Sequence, residues 1–243
     1  MKNVQTKIMT FIFALASVTA SFAQVKTSDL IGAWQSGSSV QATKIITEQN
    51  FALATYDVKN KQFVSTYGGK WRLDGKNIVE TIEFHSANPE LIGKEIVTPV
   101  ELKKGKLIVA DNSKKEEWSK IDDGTPGQLA GAWLITGRVT DGQSNKITPG
   151  ARRTMKILSG TRFQWIAYNT DTKEFLGTGG GTYTTTNGKY TENIEFFSRD
   201  NSRVGASLQF DFSLEDGNWR HKGFSSKGDP IDEVWTKREK IGL

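Results

Sequence analysis

The chain repeats itself, and the repeat limits the fold more than any other feature. Leu30-Ile31-Gly32-Ala33-Trp34 recurs as Leu129-Ala130-Gly131-Ala132-Trp133. Beyond these motifs the copies keep one register: Phe51 falls on Phe163, Tyr56 on Tyr168, Phe63 on Phe175 and Gly69 on Gly181, each 112 residues later. Glu80-Thr81-Ile82-Glu83-Phe84 is answered by Glu192-Asn193-Ile194-Glu195-Phe196 at the same spacing, then Gly93 by Gly205 and Gly105 by Gly217. Both copies close alike, Glu116-Glu117-Trp118-Ser119-Lys120 against Asp232-Glu233-Val234-Trp235-Thr236-Lys237. A register held this far means two copies of one structural unit. The turn-rich Asp122-Asp123-Gly124-Thr125-Pro126-Gly127 separates them. The expected domains are therefore 24–124 and 127–243, each large enough to bury a core. The second copy carries an extra stretch from Gly137 to Gly150, rich in turn residues, which is expected to be a loop at one mouth of the second domain.

Within each copy, short alternating segments rich in Thr, Val, Ile, Phe and Tyr are punctuated by Asp74-Gly75, Lys104-Gly105, Asn187-Gly188 and Asp216-Gly217. These are strand and hairpin signals. Helical periodicity of useful length is absent after the first residues. The pattern predicts an all-β chain of two tandem antiparallel up-and-down barrels, roughly eight strands each, since closure removes exposed edges. Gly68-Gly69 and Gly179-Gly180-Gly181 interrupt a strand in both copies and predict a bulge or bend. A phosphate-binding loop is excluded there, because no helix and no Gly-Lys-Ser/Thr follows.

The N-terminus reads as an export signal. Lys2 and Lys7 precede an apolar run from Ile8 to Val18, and Ser21-Phe22-Ala23 offers a small-x-small cleavage site. The run is shorter than the roughly 20 residues that span a bilayer, so no transmembrane segment is expected in the mature protein. Cleavage after Ala23 and a periplasmic or secreted location follow. The absence of cysteine excludes lipid attachment at a lipobox, disulfides, thiolate metal sites and a Cys nucleophile. With 32 basic against 27 acidic residues and no basic cluster, nucleic acid is not an expected partner.

Taken together, the Gly-x-Trp motifs, Lys44-Ile45-Ile46-Thr47, Tyr56-Asp57, Gly68-Gly69-Lys70-Trp71, Glu80-Thr81-Ile82-Glu83-Phe84 and Glu117-Trp118, with their second-copy partners, form a wider pattern. It resembles the lipocalin or calycin type of barrel, and more closely the lipocalin-like domains of secreted proteins from Bacteroidetes-type bacteria. The resemblance implies that Trp34 and Trp133 plug the barrel floors as structural residues. Lys120, and Lys237 or Arg238, would be the cations set against them.

Side chains alternate along a strand, so neighbours show which face is buried. Ile78, Glu80, Ile82 and Phe84 form the more apolar set of their strand and are expected inside; Tyr190, Glu192, Ile194 and Phe196 are the equivalents. His85 falls on the outward set. A carboxylate indoors needs a partner. Trp219 and His221 share a face, which puts His221 inside with Glu192, whereas Leu107 and Val109 make the first interior greasier. Phe51, Leu53, Phe63 and Trp71 are the expected first-barrel lining, answered by Phe163, Trp165, Phe175 and Tyr183. Arg153 shares the face of Met155 and Ile157 and could reach in from a mouth. The candidate ligand contacts are thus Glu192, His221, Trp165, Tyr183, Trp219, Arg153, Glu80 and Trp71, with the second barrel favoured. Internal packing and hydrogen bonding remain the plain alternative for each.

Two histidines cannot supply an ordinary zinc site, so no metal or cofactor is expected. Glu192 and His221 are the best acid/base pair, but no third group or nucleophile accompanies them, and no hydrolase motif is present. The expected function is binding of a small, mostly apolar or amphipathic molecule inside a barrel. The alternative is a pair of solid barrels acting through their outer surface as an envelope or extracellular interaction module, for protein or glycan. Nothing in the sequence encodes an oligomeric state.

Overall fold

A computed structural model describes residues 25–111, 114–125 and 127–243. The expected leader lies outside the described residues. Strands β1 (Gly32–Gly37), β2 (Val40–Ile46), β3 (Asn50–Asp57), β4 (Gln62–Asp74), β5 (Asn77–His85), β6 (Glu95–Lys103), β7 (Lys106–Asp111) and β8 (Lys114–Asp122) pair antiparallel in chain order, and β1 pairs β8 to close the sheet. The second copy begins with β9 (Gly131–Thr140), a short β10 (Gln143–Lys146) and β11 (Arg152–Leu158). It continues through β12 (Arg162–Asn169), β13 (Glu174–Thr186), β14 (Lys189–Phe197), β15 (Ser207–Glu215), β16 (Asn218–Phe224) and β17 (Pro230–Lys237), and β9–β17 pairing closes it. The fold is all-β: two closed eight-stranded antiparallel barrels in tandem. Among the described residues helix is confined to single turns such as α1 (Thr27–Leu30) and α2 (Arg238–Ile241). Among the described residues no helix is long and apolar enough to cross a membrane.

The stretch from Gly137 to Gly150 is not simply a loop. β9 runs on to Thr140 and β10 folds back along it around Asp141-Gly142, both with positive φ, which is the backbone a two-residue hairpin turn needs. Lys104-Gly105, Asn187-Gly188 and Asp216-Gly217 turn the chain in the same way.

Two β-bulges occur at matching places in each barrel, and they correct four expected interior positions. Between Tyr67 and His85 the register slips, because Gly68 faces Phe84 while Gly69 faces Ile82, leaving Glu83 as the extra residue. Gly180 and Gly181 repeat the slip around Glu195. One extra residue inverts the alternation beyond it. Phe84 and Phe196 therefore turn outward, and His85, expected outside, turns in. A second slip leaves Val64 and Leu176 unpaired and turns Phe63 and Phe175 outward as well. Glycine is required at the first slip: a Cβ on Gly69 would lie 2.0 Å from the Thr81 carbonyl oxygen.

The redirected residues build the contact between the barrels, which has approximate two-fold symmetry. Phe63 stacks on Phe175 with ring centroids 6.1 Å apart. Tyr56 donates to Glu195 at 2.9 Å, and its counterpart Tyr168 donates to Glu83, the counterpart of Glu195, at 3.0 Å. Phe196 packs on Tyr56 as Phe84 packs on Tyr168. Ile45, Ala52, Leu134, Met155, Ile157 and Ile166 fill the apolar part of the seam. Arg162 clamps Glu195 and the buried Arg238 of α2 holds Glu83 at 2.7 Å. Burial alone would raise the Glu83 carboxyl, but Arg238, Tyr168 and Arg153 outweigh it and hold the group below its ordinary range.

Candidate functional site

Among the described residues the two barrels hold a buried lysine–glutamate pair at the same place. Alternation along β2 sends Ala42, Lys44 and Ile46 inward, and Lys44 meets Glu80 of β5. In the second barrel Lys156 of β11 lies 2.8 Å from Glu192 of β14. Burial pulls the Lys44 ammonium down, yet the facing Glu80 carboxylate overcomes this and leaves it raised.

The surroundings of the two pairs differ sharply. Lys156 is caged by rings, its Nζ 5.0–5.7 Å from the centroids of Tyr190, Phe210, Trp219 and Trp235. Tyr190 also donates to Glu192 Oε1 at 2.8 Å. His221 packs against Phe210 and is buried, and burial followed by the Lys156 charge pushes its pKa down to about 4. It is therefore neutral at neutral pH. The carboxylate beside its Nδ1, at 3.5 Å, is Glu233 and not Glu192, whose Oε1 is taken by Lys156 and Tyr190. The expected Glu192–His221 acid/base pair is not assembled. What space remains is a cavity of about 230 Å³, bordered by Trp165, Glu192, His221 and Glu233.

In the first barrel three of these rings, and His221, are replaced by smaller side chains, while Trp118 keeps a ring at the place of Trp235. Strand pairing matches Tyr190 with Ile78, Phe210 with Thr98, Trp219 with Leu107 and His221 with Val109. All four line a cavity of about 860 Å³ that reaches Lys44 and Glu80. Leu53, Leu91, Ile96 and Val100 supply further apolar wall, while Tyr67, His85 and the exposed Glu116 add polar groups. Ala87 and Asn88 both donate backbone N–H groups to His85 Nδ1, at 3.1 and 2.9 Å, which places the proton of the neutral ring on Nε2. Trp118 also lines the cavity; its indole N–H is buried and without a partner.

The closed ends are built alike. The Trp34 indole N–H donates to the Leu30 carbonyl at 2.7 Å with Lys120 Nζ 5.2 Å from the ring, and Trp133 donates to Leu129 with Lys237 at 5.5 Å. Arg238 lies instead in the barrel-to-barrel contact.

The candidate residues thus separate. Glu80 lines the large cavity, and Glu192, His221 and Trp165 line the small one. Tyr183, Trp219 and Trp71 are packed core, with the hydroxyl of Tyr183 on the Ser159 carbonyl and the indole of Trp71 on that of Thr47. Arg153 does not reach into a barrel; it binds the Gly150 carbonyl and lies 3.4 Å from Glu83 across the seam. Lys44 and Lys156 are the functional groups that the sequence reading missed, although the same-face test used for Glu80 marks Lys44 beside Ala42 and Ile46.

Residues 128–241, the second barrel through α2, match a family model described as Domain of unknown function (DUF4488). No curated protein matches the chain.

Proposed function

We propose that this is a binding protein whose first barrel carries a small, mostly apolar molecule with a polar group directed at the Lys44–Glu80 pair. One observation carries the reading: a cavity of about 860 Å³, walled mainly by apolar side chains, with a buried ion pair in its lining. That size falls within the usual range of ligand pockets, about 300–1,000 Å³, and few polar groups on apolar walls is their usual makeup. The lipocalin-like character of the repeat supports the same reading. The ring-filled second barrel favours a scaffold role for that half.

The direct test is titration of the purified protein with N-phenyl-1-naphthylamine, whose emission rises in apolar surroundings. A saturable rise at one dye per chain is expected. Leu107→Trp, which puts the second barrel's ring into the cavity, is expected to weaken the dye at least about tenfold. No saturable rise with the wild type would sink the proposal.

Export completes it. Lys2, Lys7, the Ile8–Val18 run and Ser21-Phe22-Ala23 support a leader removed on secretion. N-terminal sequencing of protein recovered from the periplasm or medium is expected to begin at Gln24; full-length protein held in the cytoplasm contradicts it.

A further inference from the structure

We infer that the first barrel's ligand is an uncharged, multi-ring aromatic molecule bearing a phenolic hydroxyl, its rings standing where Tyr190, Phe210 and Trp219 stand in the second barrel. The inference rests on the reading of the first barrel as a ligand site. The second barrel serves as a map of the first, because the copies share strand register and keep the same Lys–Glu pair. Around Lys156 the protein supplies four ring faces to the ammonium. A lysine drawn into an apolar interior gains from such faces, since the ring quadrupole attracts a cation more strongly once water is removed. Around Lys44 the Phe51 ring lies 5.0 Å away, and the Tyr67 phenol in the cavity wall is close enough to act on its charge. The space of Tyr190, Phe210 and Trp219 is left open by Ile78, Thr98 and Leu107, while Trp118 stands at the place of Trp235. Aromatic rings fit that space by shape and by the charge they face.

The hydroxyl follows from the same comparison. Tyr190 places a phenol on Glu192 at 2.8 Å, whereas Ile78 brings none to Glu80. A ligand phenol donating to Glu80 restores the arrangement and makes a hydrogen bond to a charged acceptor, the stronger kind. Charge argues against an anionic head. Lys44 is already neutralised by Glu80, and Glu116 adds a further negative charge to the lining. A carboxylate brought there meets two carboxylates and one committed cation.

Displacement of N-phenyl-1-naphthylamine from the full chain by 4-phenylphenol, biphenyl, 1-dodecanol and dodecanoate tests the inference. 4-Phenylphenol is expected to bind at least about tenfold more tightly than each of the other three, the worth of one hydrogen bond to a carboxylate. In Ile78→Tyr, which supplies both ring and hydroxyl from the protein, 4-phenylphenol binding is expected to be lost with the melting temperature undiminished. Should 1-dodecanol or dodecanoate bind as tightly as 4-phenylphenol, or 4-phenylphenol gain nothing over biphenyl, the ligand class is wrong and the cavity reading stands. If the dye binds but 4-phenylphenol fails to displace it, the ligand class is likewise overturned. If the dye itself does not bind, the cavity reading falls and takes the ligand class with it.

Discussion

Lys44–Glu80 and Lys156–Glu192 are the same pair in two settings, and the difference is measurable. Lys156 and Glu192 border only the smaller cavity, of about 230 Å³, and four rings crowd the ammonium, so removing the carboxylate strands a poorly hydrated charge. Glu192→Gln is expected to cost about 3–5 kcal/mol in urea unfolding of the full chain. Lys44 borders the far larger cavity, of about 860 Å³, and has fewer rings around it, so more water can solvate a stranded charge there. Glu80→Gln is therefore expected to cost clearly less, about 1–2 kcal/mol; equal costs would mean that the first barrel is as closed as the second. The two carboxylates were legible because each stands out on an apolar face. Their lysines were not, since a lysine in a strand reads first as a solvent-facing residue. Val109 and Leu107 were legible too, but as a greasier lining. Their significance is lost volume at ring positions, which only the paired register exposes.

Strand alternation identifies a buried face but not what buries it. β11 shows this best: Thr154, Lys156 and Leu158 face the barrel interior, while Met155 and Ile157 are equally buried against the other barrel. Arg153 was placed on the correct face of its strand and in the wrong compartment for that reason. The bulges defeat alternation differently, by inserting one residue and inverting the sides beyond it. Gly68-Gly69 signalled such a break, but the extra residue sits on the facing strand, as Glu83, where the sequence carries no mark. The bulge makes a sharp demand on Gly69. A methyl there would lie 2.0 Å from the Thr81 oxygen and 2.8 Å from the Glu83 nitrogen, both backbone atoms that cannot rotate away. Gly69→Ala is expected to destabilise by more than about 2 kcal/mol, within the range for backbone clashes. Gly105→Ala, in a turn with open space around it, is expected to cost only the left-handed backbone penalty of about 1–2 kcal/mol. Chemical denaturation of both variants checks the contrast, and similar losses would remove the bulge as the cause.

At the scale of the whole molecule, the barrels meet as two copies of one surface, residue against counterpart, in the manner of a two-fold dimer joined into one chain. That contact was invisible in the sequence because its residues alternate and repeat like any core residues. Two carboxylates in its polar part have their pKa held down by their partners. Glu83 lies below its ordinary range: burial raises it, and Arg238 with Tyr168 and Arg153 more than reverses this. Asp122, which ties the end of β8 to the Ser159–Thr161 turn of the second barrel, is raised by burial and lowered further by Thr161, Ser159 and Gly124. A carboxyl whose folded value is depressed stabilises the protein above its unfolded value, and that contribution is lost as pH falls through the folded value. The contact should therefore be at full strength at pH 7 and weaken below about pH 4. At neutral pH the barrels are expected to melt together, because each covers an apolar face of the other. Below pH 4, calorimetry is expected to resolve two transitions. Arg238→Ala removes the cation that Glu83 needs and should separate the transitions at pH 7, whereas Arg72→Ala, at an exposed pair with Glu95 on the first barrel alone, should not. A single transition in Arg238→Ala at every pH would show that the apolar seam, and not the clamped carboxylates, couples the barrels.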